Sequence, residues 1–230
     1  MRDVIITLLL FFLSFSSCEI INPDEKIPAY IHIDSIMMED YSSNIHDAWV
    51  NLDGNFIGVY ELPCTFPVIV DSIHTLTIRG GIRNNGMSAD RLIYPFYTKY
   101  EMEQIFTPGE TYEISPVVEM KPSLKVVWEE TFEMASHSFE KYENSDTTIV
   151  ITDEDFFDGL HSGLMALDQG QEQVMVLTID DLALPTDGST PVYLEFDYKN
   201  NEIFYVGFYP LSGFYDDIIP FIYGYKKDNW

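Results

Sequence analysis

AWVNLDGNFIGVY, residues 48–60, is the stretch of sequence that decides the fold of the first half of this chain. Apolar and polar residues alternate from Ala48 to Asp53, which is the period-two pattern of a strand with one buried face. Gly54 and Asn55 then form a turn pair that can take a positive φ, and residues 56–60 supply a second arm. The stretch therefore predicts a two-stranded antiparallel hairpin.

Further strand patterns surround this hairpin. They cover residues 30–35, 74–79 and 111–120. The second of them stops at Gly80-Gly81, and Pro63 and Pro67 bracket a break in the chain. Apart from one short helical turn over residues 99–104, no segment has a sustained helical period. The first half is therefore predicted to be a small all-β module.

Residues 48–63 resemble the core of a PEGA-type domain. In that family a strand ends in an Asp-Gly turn, a glycine follows, and a proline-containing link leads on; Asp53-Gly54, Gly58 and Pro63 match these features. A second strand before a glycine is matched by residues 74–80, although the literal Pro-Glu-Gly-Ala string is absent. The resemblance implies a cell-surface or envelope binding module without catalytic residues.

A domain boundary is predicted at residues 120–123, where Pro122 ends a strand and the sequence becomes more acidic. Strand-length patterns follow at residues 124–132, 147–152, 164–167, 173–179, 192–198 and 203–209. Several short strands with turn signals between them predict a sandwich or jelly roll. Residues 129–133, 159–163 and 193–198 resemble a carbohydrate-binding-module jelly roll. Such domains end with further strands after a Trp-containing turn, so a chain that stops at Trp230 implies an incomplete second domain.

The first 18 residues have the organisation of an export signal. A charged start precedes the apolar residues 4–15, and Ser16-Ser17 stand directly before Cys18. A bilayer span needs about 20 residues, so this run has the length of a secretory signal core. Serines before a cysteine resemble the lipobox of bacterial lipoproteins, which implies acylation at Cys18. The alternative is an ordinary signal peptide cleaved near Ser17.

The organisation predicted from these patterns has four parts. They are a signal peptide over residues 1–17, an acidic tether over 18–26, a PEGA-like β domain over 27–122 and a jelly-roll-like β domain over 123–230. Residues 27–121 resemble the front half of Bacteroidota envelope lipoproteins, which implies a chain held in the outer membrane by lipid at Cys18, on either its periplasmic or its surface face.

Composition narrows the classes of partner. The chain carries 38 acidic and 12 basic side chains, a net charge of −26, which repels nucleic-acid phosphates and makes nucleic acid an unsuitable ligand. A hydrophobic content of 46% with 15% aromatic residues indicates packed cores rather than disorder. With Cys18 assigned to the anchor, Cys64 has no disulfide partner and is expected to be a buried free thiol.

Catalytic and metal motifs are weak. Gly159-Leu160-His161-Ser162-Gly163 places its serine one position late for a nucleophile elbow, and a turn before a strand is the preferred interpretation. Residues 153–159 fail the EF-hand pattern because Phe157 and Asp158 occupy positions 5 and 6. We expect no cofactor and no metal.

Two further interpretations of the acidic residues stay open. Glu130 and Glu133 are candidates for a looser structural calcium site, although a solvated acidic face is preferred. A carboxylate pair for glycoside hydrolysis depends on a separation in space that the sequence does not reveal. The five histidines are scattered and form no zinc motif.

Aromatic residues crowd the end of the chain. Over residues 203–209, Phe204, Val206 and Phe208 share one face of the predicted strand, and Tyr205 and Tyr209 share the other. The Phe set is expected to pack in the core, whereas Tyr205 and Tyr209 are the candidate ligand-binding residues, since exposed rings stack on sugars or anchor a protein partner.

We interpret the chain as a non-catalytic binding or adhesion module whose β surfaces contact glycans or another envelope protein. The alternative is a structural accessory subunit of an envelope assembly of the secretion or gliding type. A glycan-acting enzyme is a third hypothesis.

Overall fold

The computed structural model of the chain describes residues 25–38, 44–70, 72–210 and 218–230. Within these ranges the fold is all-β, as the sequence predicts, with sixteen strands and no α-helix; a single 3-10 turn covers Asn84–Gly86. No helix among the described residues is long and apolar enough to cross a membrane. The chain divides into two compact units, one ending at Ser123 and the other beginning at Leu124.

Ten strands make up the first unit. They are β1 (Ala29–Ile33), β2 (Met37–Met38), β3 (Asp47–Leu52), β4 (Asn55–Glu61), β5 (Cys64–Val68), β6 (Ile73–Arg83), β7 (Arg91–Ile93), β8 (Tyr100–Ile105), β9 (Thr111–Ile114) and β10 (Val117–Val118). A five-stranded sheet has the order β4-β3-β6-β7, with β8 also paired to β6; a three-stranded sheet has the order β5-β1-β9, and β2 pairs with β10. Strand β1 runs antiparallel to β5 and parallel to β9.

The predicted hairpin is confirmed as β3 and β4, which pair antiparallel from Asp47 opposite Glu61 to Leu52 opposite Asn55. The turn falls at Asp53 and Gly54, with φ values of 51° and 76°. Two consecutive positive φ angles are the geometry of a type I′ turn, whose twist matches that of the flanking strands. The local sequence therefore determines the turn.

Three predictions for the first unit are wrong in detail. Strand β6 does not stop at Gly80-Gly81 but continues to Arg83. Residues 99–104 form most of β8 rather than a helical turn, because β6 supplies a strand partner for them. Pro67 lies inside β5 instead of marking a break, and it is tolerated there because β5 is an edge strand of its sheet.

The extension of β6 beyond Gly80 brings Gly81 against the side chain of Trp49. A Cβ at Gly81 would overlap the indole of Trp49, which lies on the neighbouring strand, and would come within 3.1 Å of the Asp47 Cβ. Glycine at this position therefore makes room for the Trp49 ring. The strand continues because its hydrogen-bond partners continue, with Gly81 opposite both Asp47 and Ile93.

The buried core lies almost wholly in the first unit. Among the described residues, seventeen apolar side chains are buried, and sixteen of them belong to this unit; Ile149 is the exception. The inward positions of β1, β3 and β6 alternate with outward polar positions, as in Ile31 and Ile33 on β1. Phe66 of β5 stacks on Tyr60 of β4, with ring centroids 4.2 Å apart. This contact joins the edges of the two larger sheets.

The second unit contains six shorter strands. They are β11 (Phe139–Lys141), β12 (Ile149–Thr152), β13 (Ser162–Met165), β14 (Val176–Thr178), β15 (Phe204–Phe208) and β16 (Ile219–Gly224). They form three antiparallel pairs, β11-β14, β12-β13 and β15-β16. Four predicted strands are therefore confirmed, as β12, β13, β14 and β15.

The other predictions for the second unit fail. Residues 124–132 and 192–198, which lie wholly within the described ranges, form no strand. Strands β11 and β16 were not predicted. Strand β11 is only three residues long and two of them are charged, and β16 contains Pro220. Whether each of these segments forms a strand depends on a hydrogen-bonded partner strand, and a periodic pattern in the sequence does not identify that partner.

Candidate ligand-binding surface

The β15-β16 hairpin carries the candidate binding residues. Tyr205 lies directly opposite Tyr223 in the ladder, and their ring centroids are 6.4 Å apart with an interplanar angle of 51°. The two residues are 46% and 58% exposed. Because paired residues project from the same side of a sheet, these two rings form one exposed surface.

The opposite face of the hairpin is packed by Phe204. Its ring contacts Tyr198 and Phe196 edge-to-face, with centroid separations of 5.1 and 6.2 Å. A Cβ at Gly224, the residue opposite Phe204, would overlap this ring. Glycine at position 224 therefore lets Phe204 lie across the neighbouring strand. This packing holds the hairpin by one face and leaves the Tyr205–Tyr223 face outward.

A β-bulge shifts the register at the other end of the hairpin. Val206 pairs with Ile222 but Gly207 pairs with Pro220, so Phe221 is the extra residue. Phe221 stacks on Phe208, with centroids 4.7 Å apart and planes inclined by 28°. Phe208 is 49% exposed. The expectation that the Phe set of this strand packs in the core is therefore wrong for Phe208, because the bulge redirects its partner.

Tyr209, the second predicted ligand-binding residue, follows the end of β15 and is also exposed. Its ring contacts Tyr142 edge-to-face at 6.2 Å. The structure thus pairs Tyr205 with Tyr223 and Tyr209 with Tyr142. The sequence predicts neither pair, since the register and the loop packing that bring Tyr223 and Tyr142 to these positions are tertiary.

Charged groups lie beside the hairpin. The ammonium of Lys227 sits 5.0 Å from the centroid of the Tyr198 ring, a cation–π distance. Partial desolvation, together with the negative charge of Asp197, raises the pKa of Glu195. Desolvation also raises the pKa of Asp197, against the opposing charge of Lys227. The hairpin therefore borders carboxylates that an added positive charge would stabilise.

Glu130 and Glu133, the candidates for calcium, hold loops together through hydrogen bonds. Glu130 accepts from the amides of Phe132 and Ser138, at 2.7 and 2.6 Å, and from the Ser138 hydroxyl at 2.7 Å. Glu133 accepts from the amides of Leu160 and His161, at 2.7 and 2.9 Å, and lies 3.0 Å from His161 Nδ1.

These hydrogen bonds determine the direction in which the pKa of each carboxyl group is shifted. Although burial opposes the change, the bonds from Ser138 and Phe132 lower the pKa of Glu130. The amide of Leu160 and the ring of His161 lower the pKa of Glu133. Their oxygens are already engaged by protein donors, and no cluster of three or more His, Cys, Asp or Glu side chains suited to a metal occurs within the described residues. In this structure both carboxylates hold loop backbone in place.

A shallow cavity of about 350 Å³ adjoins Glu130. Its lining consists of Glu129, Glu130, Thr131, Met134, Ser136, His137 and Ser138. His137 accepts from the Phe139 amide at 3.3 Å through Nδ1 and donates to the Ile149 carbonyl at 3.2 Å through Nε2, so both ring nitrogens are engaged. The hydroxyl of Ser162 donates to the Asp155 carbonyl at 2.6 Å. Neither side chain is arranged as a nucleophile and base.

The first unit contains an ion cluster, built around Asp47, on the outer side of its five-stranded sheet. Asp47 is fully buried and accepts from Nη1 of Arg91, whose Nη2 donates to Glu61 at 2.9 Å. Arg83 donates to the other Glu61 oxygen at 2.7 Å. Bonding to Arg91 lowers the pKa of Glu61. These partners lie on β3, β4, β6 and β7, so the cluster ties four strands together.

Both cysteines were assigned roles from the sequence. Cys18, the predicted lipidation site, lies outside the described residues. Cys64 is a half-buried free thiol in β5, and burial raises its pKa, so it is a weak nucleophile at neutral pH.

Comparisons of this chain with protein-family models, with curated proteins and with solved structures give no match. Its function is therefore inferred from its own residues.

Proposed function

We propose that this chain is an envelope-anchored lipoprotein whose second unit is a non-catalytic binding module for glycans. The observation that supports this most directly is the exposed pair Tyr205 and Tyr223, set side by side on the β15-β16 hairpin. Aromatic faces stack on the apolar C–H faces of sugar rings, and two neighbouring rings suit two consecutive residues of an oligosaccharide. Phe204 fixes the hairpin from behind, so the rings are held before the ligand arrives.

The anchor is proposed from the sequence alone. Cys18 follows an apolar run of signal length and resembles a lipobox cysteine, which implies attachment to the outer membrane by lipid. Intact-mass analysis of the chain purified from membranes tests this. A lipid-modified mass that disappears in Cys18→Ser supports the anchor, whereas an unmodified chain beginning at Cys18 or nearby contradicts it.

The glycan proposal is tested with the chain from Glu19 to Trp230 on a glycan array. Tyr205→Ala and Tyr223→Ala are each expected to weaken binding about tenfold, since an aromatic contact contributes about 0.5–1.5 kcal/mol beyond its buried area. Tyr30→Ala is the matched control, because Tyr30 is an exposed strand tyrosine of the first unit. Binding that survives both hairpin substitutions, or no binding by a folded sample, contradicts the proposal.

A second candidate function is a structural accessory subunit of an envelope assembly of the secretion or gliding type. The observation that favours it is the large exposed apolar surface of the second unit, which a partner protein would cover. Failure of the glycan array with a folded chain would move the preference to this candidate.

A further inference from the structure

The two units differ sharply in how they bury apolar side chains. Among the described residues of the second unit, only Ile149 is a buried apolar side chain, while 22 large apolar side chains are exposed. Its strands form three separate pairs, so each strand has a single neighbour within the described ranges. Isolated two-stranded sheets are marginally stable in water and gain stability from a third strand. The second unit is therefore built to accept further strand and apolar contacts.

Among the described strands of this unit, β15 is the longest that carries neither proline nor charge, with five residues against four in β12 and β13 and three in β14. Strand β15 reads Phe-Tyr-Val-Gly-Phe and so lacks proline and charge, two of the devices that block strand addition. Its partner β16 carries Pro220 and the bulge at Phe221, both of which disfavour a further strand on that side. An added strand would therefore pair with β15.

The first unit protects its edges in the same ways. Edge strand β4 contains a register shift between Gly58 and Phe56, and edge strand β5 contains Pro67. The second unit lacks these devices in β12, β13 and β14 as well, and β15 is distinguished from them by its greater length.

Charge indicates which kind of strand would pair there. Residues 124–230 contain 21 acidic and 5 basic side chains, a net charge of −16. Glu195 and Asp197 flank Phe196, whose ring contacts Phe204 of β15, and partial desolvation raises the pKa of both carboxyl groups. A second copy of this unit would bring like charges together. Lysine or arginine side chains would instead be attracted.

We propose that β15 is the docking edge for an extended, lysine- or arginine-rich segment of a partner protein, which adds to the hairpin as a third strand. Main-chain hydrogen bonds to residues 204–208 supply the pairing, and apolar side chains of the incoming strand cover Phe208 and its neighbours. Basic side chains at its alternate positions meet the acidic surface. This inference concerns the backbone edge and does not depend on glycan binding by the tyrosine faces.

The experiment uses the chain from Glu19 to Trp230 and three fluorescent nine-residue peptides. The first alternates valine with lysine, the second alternates valine with glutamate, and the third is the lysine peptide with N-methyl groups along one edge. The methylated peptide keeps charge and side chains but cannot pair as a strand. Anisotropy measures affinity, and amide hydrogen exchange locates protection.

The lysine peptide is expected to bind about tenfold or more tightly than either other peptide, because the glutamate peptide is repelled and the methylated peptide loses main-chain hydrogen bonds. Protection is expected at residues 204–208, and affinity should fall as salt rises. Phe208→Lys should weaken the lysine peptide, whereas the control Phe56→Lys, at an exposed site of the first unit, should not.

Three results would overturn the proposal. Equal binding of the methylated and unmethylated lysine peptides would show charge attraction without strand pairing. Binding without protection of residues 204–208 would place the peptide elsewhere. A dimer in sedimentation that buries β15 would show that a second copy occupies the edge.

Discussion

The effect of Gly81→Ala on the free energy of unfolding is expected to depend on the residue at position 49: destabilising beside Trp49, and neutral or stabilising beside alanine. In an extended strand, replacing glycine by alanine ordinarily stabilises by about 0.5–1 kcal/mol, because alanine loses less backbone entropy on folding. At Gly81 the added methyl group would overlap the indole of Trp49 and lie 3.1 Å from the Asp47 Cβ. Overpacking of this kind costs about 1–3 kcal/mol.

The expected magnitudes follow from these two terms. With Trp49 present, Gly81→Ala should lower the free energy of unfolding of the first unit by about 1–2 kcal/mol. In a Trp49→Ala background the overlap with the indole is gone, and the same substitution should be neutral or stabilising. The coupling free energy between the two positions is therefore about 2 kcal/mol, within the range for residues in contact.

Native-state amide hydrogen exchange is the suitable assay, because it reports each unit separately in a chain of two units. The free energies of exchange of the buried β3 and β6 amides would be compared for the wild-type chain, both single variants and the double variant. If Gly81→Ala destabilises equally in both backgrounds, with a coupling under about 0.5 kcal/mol, the reasoning from the Trp49 contact is refuted.

Three other predictions concern the ion cluster, a pH dependence and the hairpin of the second unit. Arg91→Met removes the donor to the fully buried Asp47 and should therefore lower the thermal unfolding midpoint. The decrease should exceed that of the control Arg79→Met, which changes an exposed arginine of the same sheet. Equal shifts would contradict this. Bonds from His74, at 2.6 Å, and from the Thr75 amide lower the pKa of Asp53, so the stability they contribute is present above the unfolded pKa of about 4 and is lost as pH falls through the folded value. Asp53→Asn should accordingly lose less stability than the wild type between about pH 5 and 2, and parallel melting profiles across that window would count against the assignment. Gly224→Ala would make a Cβ overlap the Phe204 ring and should speed exchange of the β15 amides, with Phe204→Ala restoring protection; no change in either variant would disprove the role given to Gly224.

Local sequence predicted the strands of the first half of the chain more accurately than those of the second half. Asp53 and Gly54 take positive φ angles next to alternating strands, so the hairpin needed no information from elsewhere. The all-β class followed in the same way, because alternation and turn residues are properties of neighbours in sequence. Residues 192–198 had a comparable pattern and form no strand, since a strand exists only where another backbone pairs with it.

The candidate surface shows the same division. The sequence makes Tyr205 a candidate binding residue because it shares one face of the predicted strand with Tyr209, and the structure leaves it exposed. Its neighbour Tyr223 is determined by the register of β15 against β16, and the exposure of Phe208 is determined by the bulge at Phe221. Neither the register nor the bulge has a local signature in the sequence.

The sequence by itself determined what depends on adjacent residues: the all-β class, the position of the first hairpin, the acidic charge and the export signal pattern. Only the tertiary structure decided why Gly81 is glycine, which rings lie side by side and that, among the described strands, β15 pairs with β16 alone. The physical reason is that backbone pairing and side-chain overlap join residues such as Trp49 and Gly81 across strands, and no period along the chain records which strands will meet.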